Sequence, residues 1–161
     1  MKLRLFLPIA LLIFTGGCDD WATVIPGSIA DLQKRAEQGD AKAQHELGGR
    51  YYYGNDIVQS YDKAFEWVQK AANQGDIGAQ YDLGSMYRDG EGIPRNYIKA
   101  IEWFQKAAEQ GFPPARIALG EMYENGLGVA KDPDQARQWL EKAVEKGWEK
   151  VKENPEKLKK P

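Results

Sequence analysis

His45 and Cys18 are the only histidine and the only cysteine of the 161-residue chain. The side chains best suited to metal ligation and nucleophilic attack therefore each occur once. A zinc or redox site needs several such groups, so no metal and no cofactor is expected. A serine, histidine and carboxylate triad would have to use His45, yet no serine sits in the strained turn that presents a nucleophile. The loop RDGEG at residues 88–92 has two glycines, but it lacks the preceding strand that a phosphate-binding loop requires. Carboxylates are plentiful, 24 Asp and Glu in all, and a glycosidase pair could be drawn from them by type alone. Most of them fall on helix surfaces. The residue types point away from an enzyme and towards binding, with a small-ligand binder or hydrolase as the alternative of a different class.

Cys18 has its own context. Lys2 and Arg4 precede an uncharged run, LFLPIALLIF at residues 5–14, and Thr15, Gly16 and Gly17 follow it. A basic start, a short apolar segment and small residues are the parts of a secretory signal. The run is too short to span a bilayer, which takes about 20 apolar residues, and Pro8 interrupts it. Gly16-Gly17-Cys18 resembles the end of a bacterial lipoprotein signal, in which the Cys thiol is acylated and the chain is cut just before it. Thr15 departs from that pattern, which usually carries a large aliphatic residue there, and ordinary cleavage after Gly17 is the alternative. A single thiol in an oxidising compartment is otherwise a liability, which favours Cys18 as a lipid anchor. The resemblance implies a signal peptide over 1–17, an acylated Cys18 with a short linker over 18–27, and a periplasmic protein. Asp19 implies retention at the inner rather than the outer membrane. Asp19 to Gly27 extend at most about 30 Å, so the folded part is expected to work close to the membrane face.

Removing residues 1–17 takes away two basic side chains and shifts the net charge from −2 to −4. An acidic chain has no electrostatic reason to bind nucleic acid. What positions the remaining side chains is a repeat. Residues 41–76, 77–112 and 113–148 align without gaps at a spacing of 36 residues. Leu47, Leu83 and Leu119 share a column, as do Gly48, Gly84 and Gly120, and Trp67, Trp103 and Trp139. Each unit reads as two helices. In the second, Ala79, Leu83, Met86 and Tyr87 fall on one helical face, and Ala100, Trp103, Phe104 and Ala107 on another. Gly54, Gly90 and Gly126 stop the first helix of each unit; Gly75, Gly111 and Gly147 stop the second. Ser60, Asn96 and Asp132 share an N-cap column. The Gly48, Gly84 and Gly120 column lies inside a helix, where glycine costs about 1 kcal/mol relative to alanine. Its repetition implies close helix approach, with the Trp column expected to fill the space.

The strings AQYDLGSMYRDGEG and AIEWFQKAAEQG of the second unit, and ARIALGEMYENGLG and ARQWLEKAVEKG of the third, resemble the Sel-one-like repeat (SLR) family, relatives of the tetratricopeptide repeats. In the first unit Arg50 replaces the Met and Asn55-Asp56 replaces the second loop glycine, so its inter-helix loop is expected to be shaped differently. The resemblance implies an all-α fold: a right-handed α-solenoid of three helix-pair repeats over 28–148. A lone capping helix at 28–39 precedes the repeats, and a charged tail follows at 149–161. Some family members carry a disulfide in every repeat, and those cysteines are absent here. The resemblance also implies a concave face lined by the first helix of each pair. Its non-core columns vary between units and supply Lys42, His45, Tyr52 and Tyr53, then Tyr81, Ser85 and Arg88, then Ile117, Glu121 and Glu124. Tyrosine and arginine with charged neighbours suit a protein partner. The expected function is a membrane-anchored periplasmic protein–protein interaction module, serving an envelope complex. The alternative is an immunity protein that neutralises a toxin delivered into the periplasm.

Overall fold

A computed structural model of the protein describes residues 27–145. The expected signal peptide, Cys18, nearly all of the linker, Gly147, Trp148 and the charged tail lie outside the described residues. Within them the chain forms helices and no strand. Their order is α1 (Ile29–Glu37), α2 (Ala41–Tyr53), α3 (Tyr61–Asn73), α4 (Ile77–Asp89), α5 (Tyr97–Glu109), α6 (Pro113–Asn125) and α7 (Pro133–Glu145). Each packs mainly against its neighbours in the chain, α2 on α3, α4 on α5 and α6 on α7, with α3 and α5 bridging to the next pair. The result is an all-α solenoid of three helix pairs preceded by the lone α1.

Local chemistry sets the ends of these elements. A helix leaves its first amides without partners, and side-chain oxygens satisfy them. Asp40 accepts from the amides of Lys42 and Ala43, Asp76 from that of Ala79, and Ser60 and Asn96 from those of Lys63 and Lys99. Phe112 offers no such bond ahead of α6, and Pro113 and Pro114 at its start have no N–H to satisfy. At the other ends Gly54, Gly90 and Gly126 adopt the left-handed conformation.

The close helix approach is present, but its filler is not the Trp column. A Cβ on Gly48 would lie 2.6 Å from Val68 Cγ2, one on Gly84 2.6 Å from Phe104 Cδ1, and one on Gly120 2.9 Å from the Leu140 side chain. The filling residue is the one after each Trp, because it is this neighbour that the helix turns onto the facing glycine. Trp67 and Trp103 instead lie half-buried at the edge of the core, with Lys70 and Lys106 standing 3.9 and 3.8 Å from their ring centroids. The lysine one turn later covers the exposed ring face.

The first inter-helix loop also departs from expectation. Asp56 stands at φ 60°, where Gly92 and Gly128 stand at 73° and 75°. The same closing bond recurs, from Ser60 N to the Tyr51 carbonyl at 2.9 Å and from Asn96 N to that of Tyr87 at 2.7 Å. The loops share one shape. Aspartate tolerates the left-handed region better than most residues, and Arg50, the residue in the place of methionine, holds the Asp56 carboxylate at 2.8 Å. The two departures in the first unit compensate each other.

A buried polar column joins the units. Gln44 Nε2 donates to the Ala36 carbonyl at 2.9 Å, and Gln80 Nε2 to that of Ala72 at 3.3 Å, each reaching the end of the preceding helix. The Oε1 atoms of Gln44 and Gln80 accept from Gln74 and Gln110 Nε2, both at 2.7 Å. Arg116 takes the same position in the last unit, donating to the Ala108 carbonyl at 3.2 Å and to that of Lys142. Gln44, Gln80 and Arg116 are each almost fully buried. Among the described residues no buried side-chain polar atom lacks a partner.

Candidate functional site

The variable columns of α2 and α4 converge where the first unit meets the second. A cavity of about 240 Å³ opens there, and Tyr52, Tyr53, Tyr81, Ser85 and Arg88 contribute to its lining. Tyr52 and Tyr53 end α2 one helical turn beyond Gly49, whose lack of a side chain keeps the wall open. The Tyr52 ring meets Tyr53 edge-on at 4.8 Å and Tyr61 at 5.2 Å. Its hydroxyl donates to Glu91 Oε2. That bond, with burial second, raises the Tyr52 pKa, so the phenol is neutral at physiological pH. Tyr81 rests on Phe104 and Phe112, with centroids 5.6 and 5.5 Å away. Arg88 donates through Nε and Nη2 to the two carboxylate oxygens of Asp89, both at 2.8 Å. This pairing raises the Arg88 pKa and lowers that of Asp89.

His45 sits beside the cavity and is held from both sides. Its Nε2 lies 2.7 Å from Asp82 Oδ2, itself in the lining, and its Nδ1 lies 3.0 Å from Asp76 Oδ1. Both ring nitrogens can donate only in the imidazolium. The hydrogen bond to Asp82 raises the His45 pKa against the opposing effect of burial. Gly78 makes this possible, since a Cβ there would fall 2.5 Å from His45 Cε1. His45 thus joins the first unit to the second.

The remaining variable positions lie elsewhere. Lys42 is exposed at the start of α2, while Ile117, Glu121 and Glu124 lie on α6, outside the cavity. Glu121 still reaches Arg88 through its charge. Sequence reasoning missed Asp82, Asp89 and Glu91, which line the cavity. Each reads as ordinary helix or loop surface in the sequence; the available signal was that Asp82 and Asp89 adjoin variable columns and that Glu91 stands in one, opposite Asn55 and Leu127 of the other units. Among the described residues no group of His, Cys, Asp and Glu could hold a metal ion. No described helix is long and apolar enough to cross a membrane.

Against known proteins, the profile of the Sel1 repeat family matches residues 41–76, 77–112 and 113–148. A Sel1 repeat protein from Oxalobacter formigenes superposes with a TM-score of 0.72 at 38% identity, covering 78% of this chain and 95% of that one. A protective antigen of uropathogenic Escherichia coli with an SLR fold gives 0.72 at 42% identity over 74% of this chain and 26% of its own. Cysteine rich protein B of Helicobacter pylori gives 0.60 at 26% identity, with 79% and 97% covered. In sequence, 40 residues are 42% identical to the secretory immunoglobulin A-binding protein EsiB of Escherichia coli, a stretch that is 25% of this chain and 8% of that relative.

Proposed function

We propose that this chain, which belongs to the Sel1 repeat family, binds a protein partner through the face formed by α2, α4 and α6. Sel1 repeat proteins are protein–protein interaction modules, and their fold serves as an interaction scaffold. The observation that carries the reading is the contrast between columns. Most core columns, among them the leucine, glycine and alanine columns, recur from unit to unit, whereas those around the cavity change, from Tyr52 to Arg88 to Glu124 and from His45 to Tyr81 to Ile117. Packing requires the first kind of column and leaves the second free for a partner. The short match to a relative named for immunoglobulin binding supports a protein rather than a small molecule as partner.

The sequence around Cys18 supports a periplasmic module held by lipid at the inner membrane, with the partner in an envelope complex. The immunity reading, in which the partner is a toxin delivered into the periplasm, shares the same face. Labelled palmitate should enter the protein and should not enter Cys18→Ala. Equal labelling of both would remove the anchor. Affinity capture from envelope extracts with the full chain should return one stoichiometric protein that is lost when Tyr52, Tyr81 and Arg88 become Ala. Retention of that protein by the altered bait would move the binding surface elsewhere. The captured protein's identity separates resident complex from incoming toxin.

A further inference from the structure

We propose that the cavity between α2 and α4 receives a single cationic side chain, lysine or arginine, from the protein partner, an inference that rests on the binding reading above. Size argues first. At about 240 Å³ the space falls below the roughly 300–1,000 Å³ of small-molecule sites. It is large enough for one long side chain.

Charge argues second. The lining carries the carboxylates of Asp82, Asp89 and Glu91 against one guanidinium, that of Arg88. Arg88 is engaged in the plane by both Asp89 oxygens, so its fork is taken and an incoming anion would have to displace Asp89. Asp82 is engaged from outside the cavity by His45 Nε2 at 2.7 Å. Glu91 is different. It accepts the Tyr52 hydroxyl, and among the described residues no basic side chain forms an ion pair with it. An apolar group entering here would strip water from a carboxylate and return nothing; an ammonium or guanidinium would pair with it.

The aromatic walls argue third. Tyr52, Tyr53 and Tyr81 contribute to the lining of the cavity, and an aromatic ring attracts a cation within about 6 Å of its centroid. The hydrogen bond to Glu91 fixes Tyr52 beside the charge that would orient the cation. The equivalent positions one unit later are Arg88, Asp89 and Ile117, so rings and unpaired carboxylate coincide at the first junction and not at the second.

The test uses the full chain, solubilised in detergent, with ring-labelled tyrosine observed by NMR. Four blocked pentapeptides are titrated, identical except for a central lysine, arginine, norleucine or glutamate. Lysine and arginine peptides should shift the signals of Tyr52, Tyr53 and Tyr81 saturably, with affinity falling as salt rises. Norleucine, which keeps the stem and loses the charge, should bind at least about 5-fold more weakly. Glu91→Gln retains an acceptor for Tyr52 and should weaken the lysine peptide about 3-fold without lowering the melting temperature. Equal binding of lysine, norleucine and glutamate peptides, or no shift with any of them, overturns the proposal. A variant with Lys157, Lys159 and Lys160 changed to Gln supplies the remaining outcome. If its tyrosine signals move before any peptide is added, the chain's own lysines fill the cavity and the partner assignment is overturned. Partner capture that still depends on Tyr52 and Tyr81 while all peptides bind alike would keep the binding face and remove only its preference for a cation.

Discussion

Alanine in place of Gly84 would set two effects against each other, and the structure decides which one dominates. Inside an exposed helix the change stabilises by about 1 kcal/mol, because glycine has more backbone freedom to lose on folding. At position 84 the new Cβ would meet Phe104 Cδ1 at 2.6 Å and Cε1 at 2.7 Å. Ordinary contact begins near 3.4 Å, so the ring or the helix must move by about 0.8 Å. Phe104 is fully buried and already in contact with Tyr81, which leaves the ring little room to yield. Overpacking of a close-fitting core costs about 1–3 kcal/mol, and a rigid ring belongs at the upper end. The expected net loss is about 2 kcal/mol. Gly49 also lies inside a helix, next to the same column, and a Cβ added there would meet no atom within 4 Å. Gly49→Ala should therefore gain up to about 1 kcal/mol. Gly120→Ala should fall between the two, since the nearest atoms it meets belong to Leu140, a half-exposed and flexible side chain. Urea unfolding followed by circular dichroism, with slopes compared as well as midpoints, measures all three. A Gly84→Ala protein as stable as Gly49→Ala would refute the claim that the repeated glycine exists for close approach.

Other outcomes follow from single contacts. Gln80→Leu removes one of the two donors to the Ala72 carbonyl, which keeps the Gly75 amide, and takes the acceptor from the exposed Gln110 amide; it should lower stability by about 1 kcal/mol in the same urea assay. His45 has a raised pKa in the fold, so its contribution is fully present below the unfolded value of 6.5 and is lost as pH rises through the folded one. The unfolding midpoint should accordingly fall as the pH rises above 6.5, and His45→Gln should flatten that part of the profile. A slope unchanged by the substitution would sever His45 from the effect. Asp56→Gly relieves a left-handed aspartate at the expense of the Arg50 contact. The change should stay within about 1 kcal/mol of neutral, which differential scanning calorimetry can check.

How much of this is legible in the sequence follows from what a repeat reveals. A 36-residue period exposes every position that all units need, and so the helix ends, the caps and the leucine column can be placed from sequence. It exposes less where units solve one problem with different residues. The invariant Trp column points to Trp103 as the filler beside Gly84, while the true filler varies as Val68, Phe104 and Leu140. Asp56 breaks the glycine pattern and so predicts a reshaped loop; conformational tolerance and Arg50 preserve the shape instead. Gln44 and Gln80 repeat at the same period without drawing notice, since glutamine and arginine read as surface until a structure shows the carbonyls they reach. At the candidate site the variable columns lead to Tyr52, Tyr53, Tyr81, Ser85 and Arg88 together, but not to the carboxylates that give the cavity its charge. A carboxylate on a helix surface looks alike whether it faces solvent or a neighbour.

The buried glutamine column bears on how a chain of this kind changes length. Each of the first two repeats carries both halves of a joint: an amide at the start of its first helix that reaches back, and a glutamine at the end of its second helix that reaches the amide. A duplicated segment of one full period therefore arrives with its own mating parts and restores every joint on both sides. An insertion one residue longer or shorter would present the wrong face of the helix and strand polar groups in the core. Growth and loss in whole units, seldom in fragments, is the expected genetic history of such an array, and Arg116 shows that a unit can also make the joint to a carbonyl instead of a second glutamine.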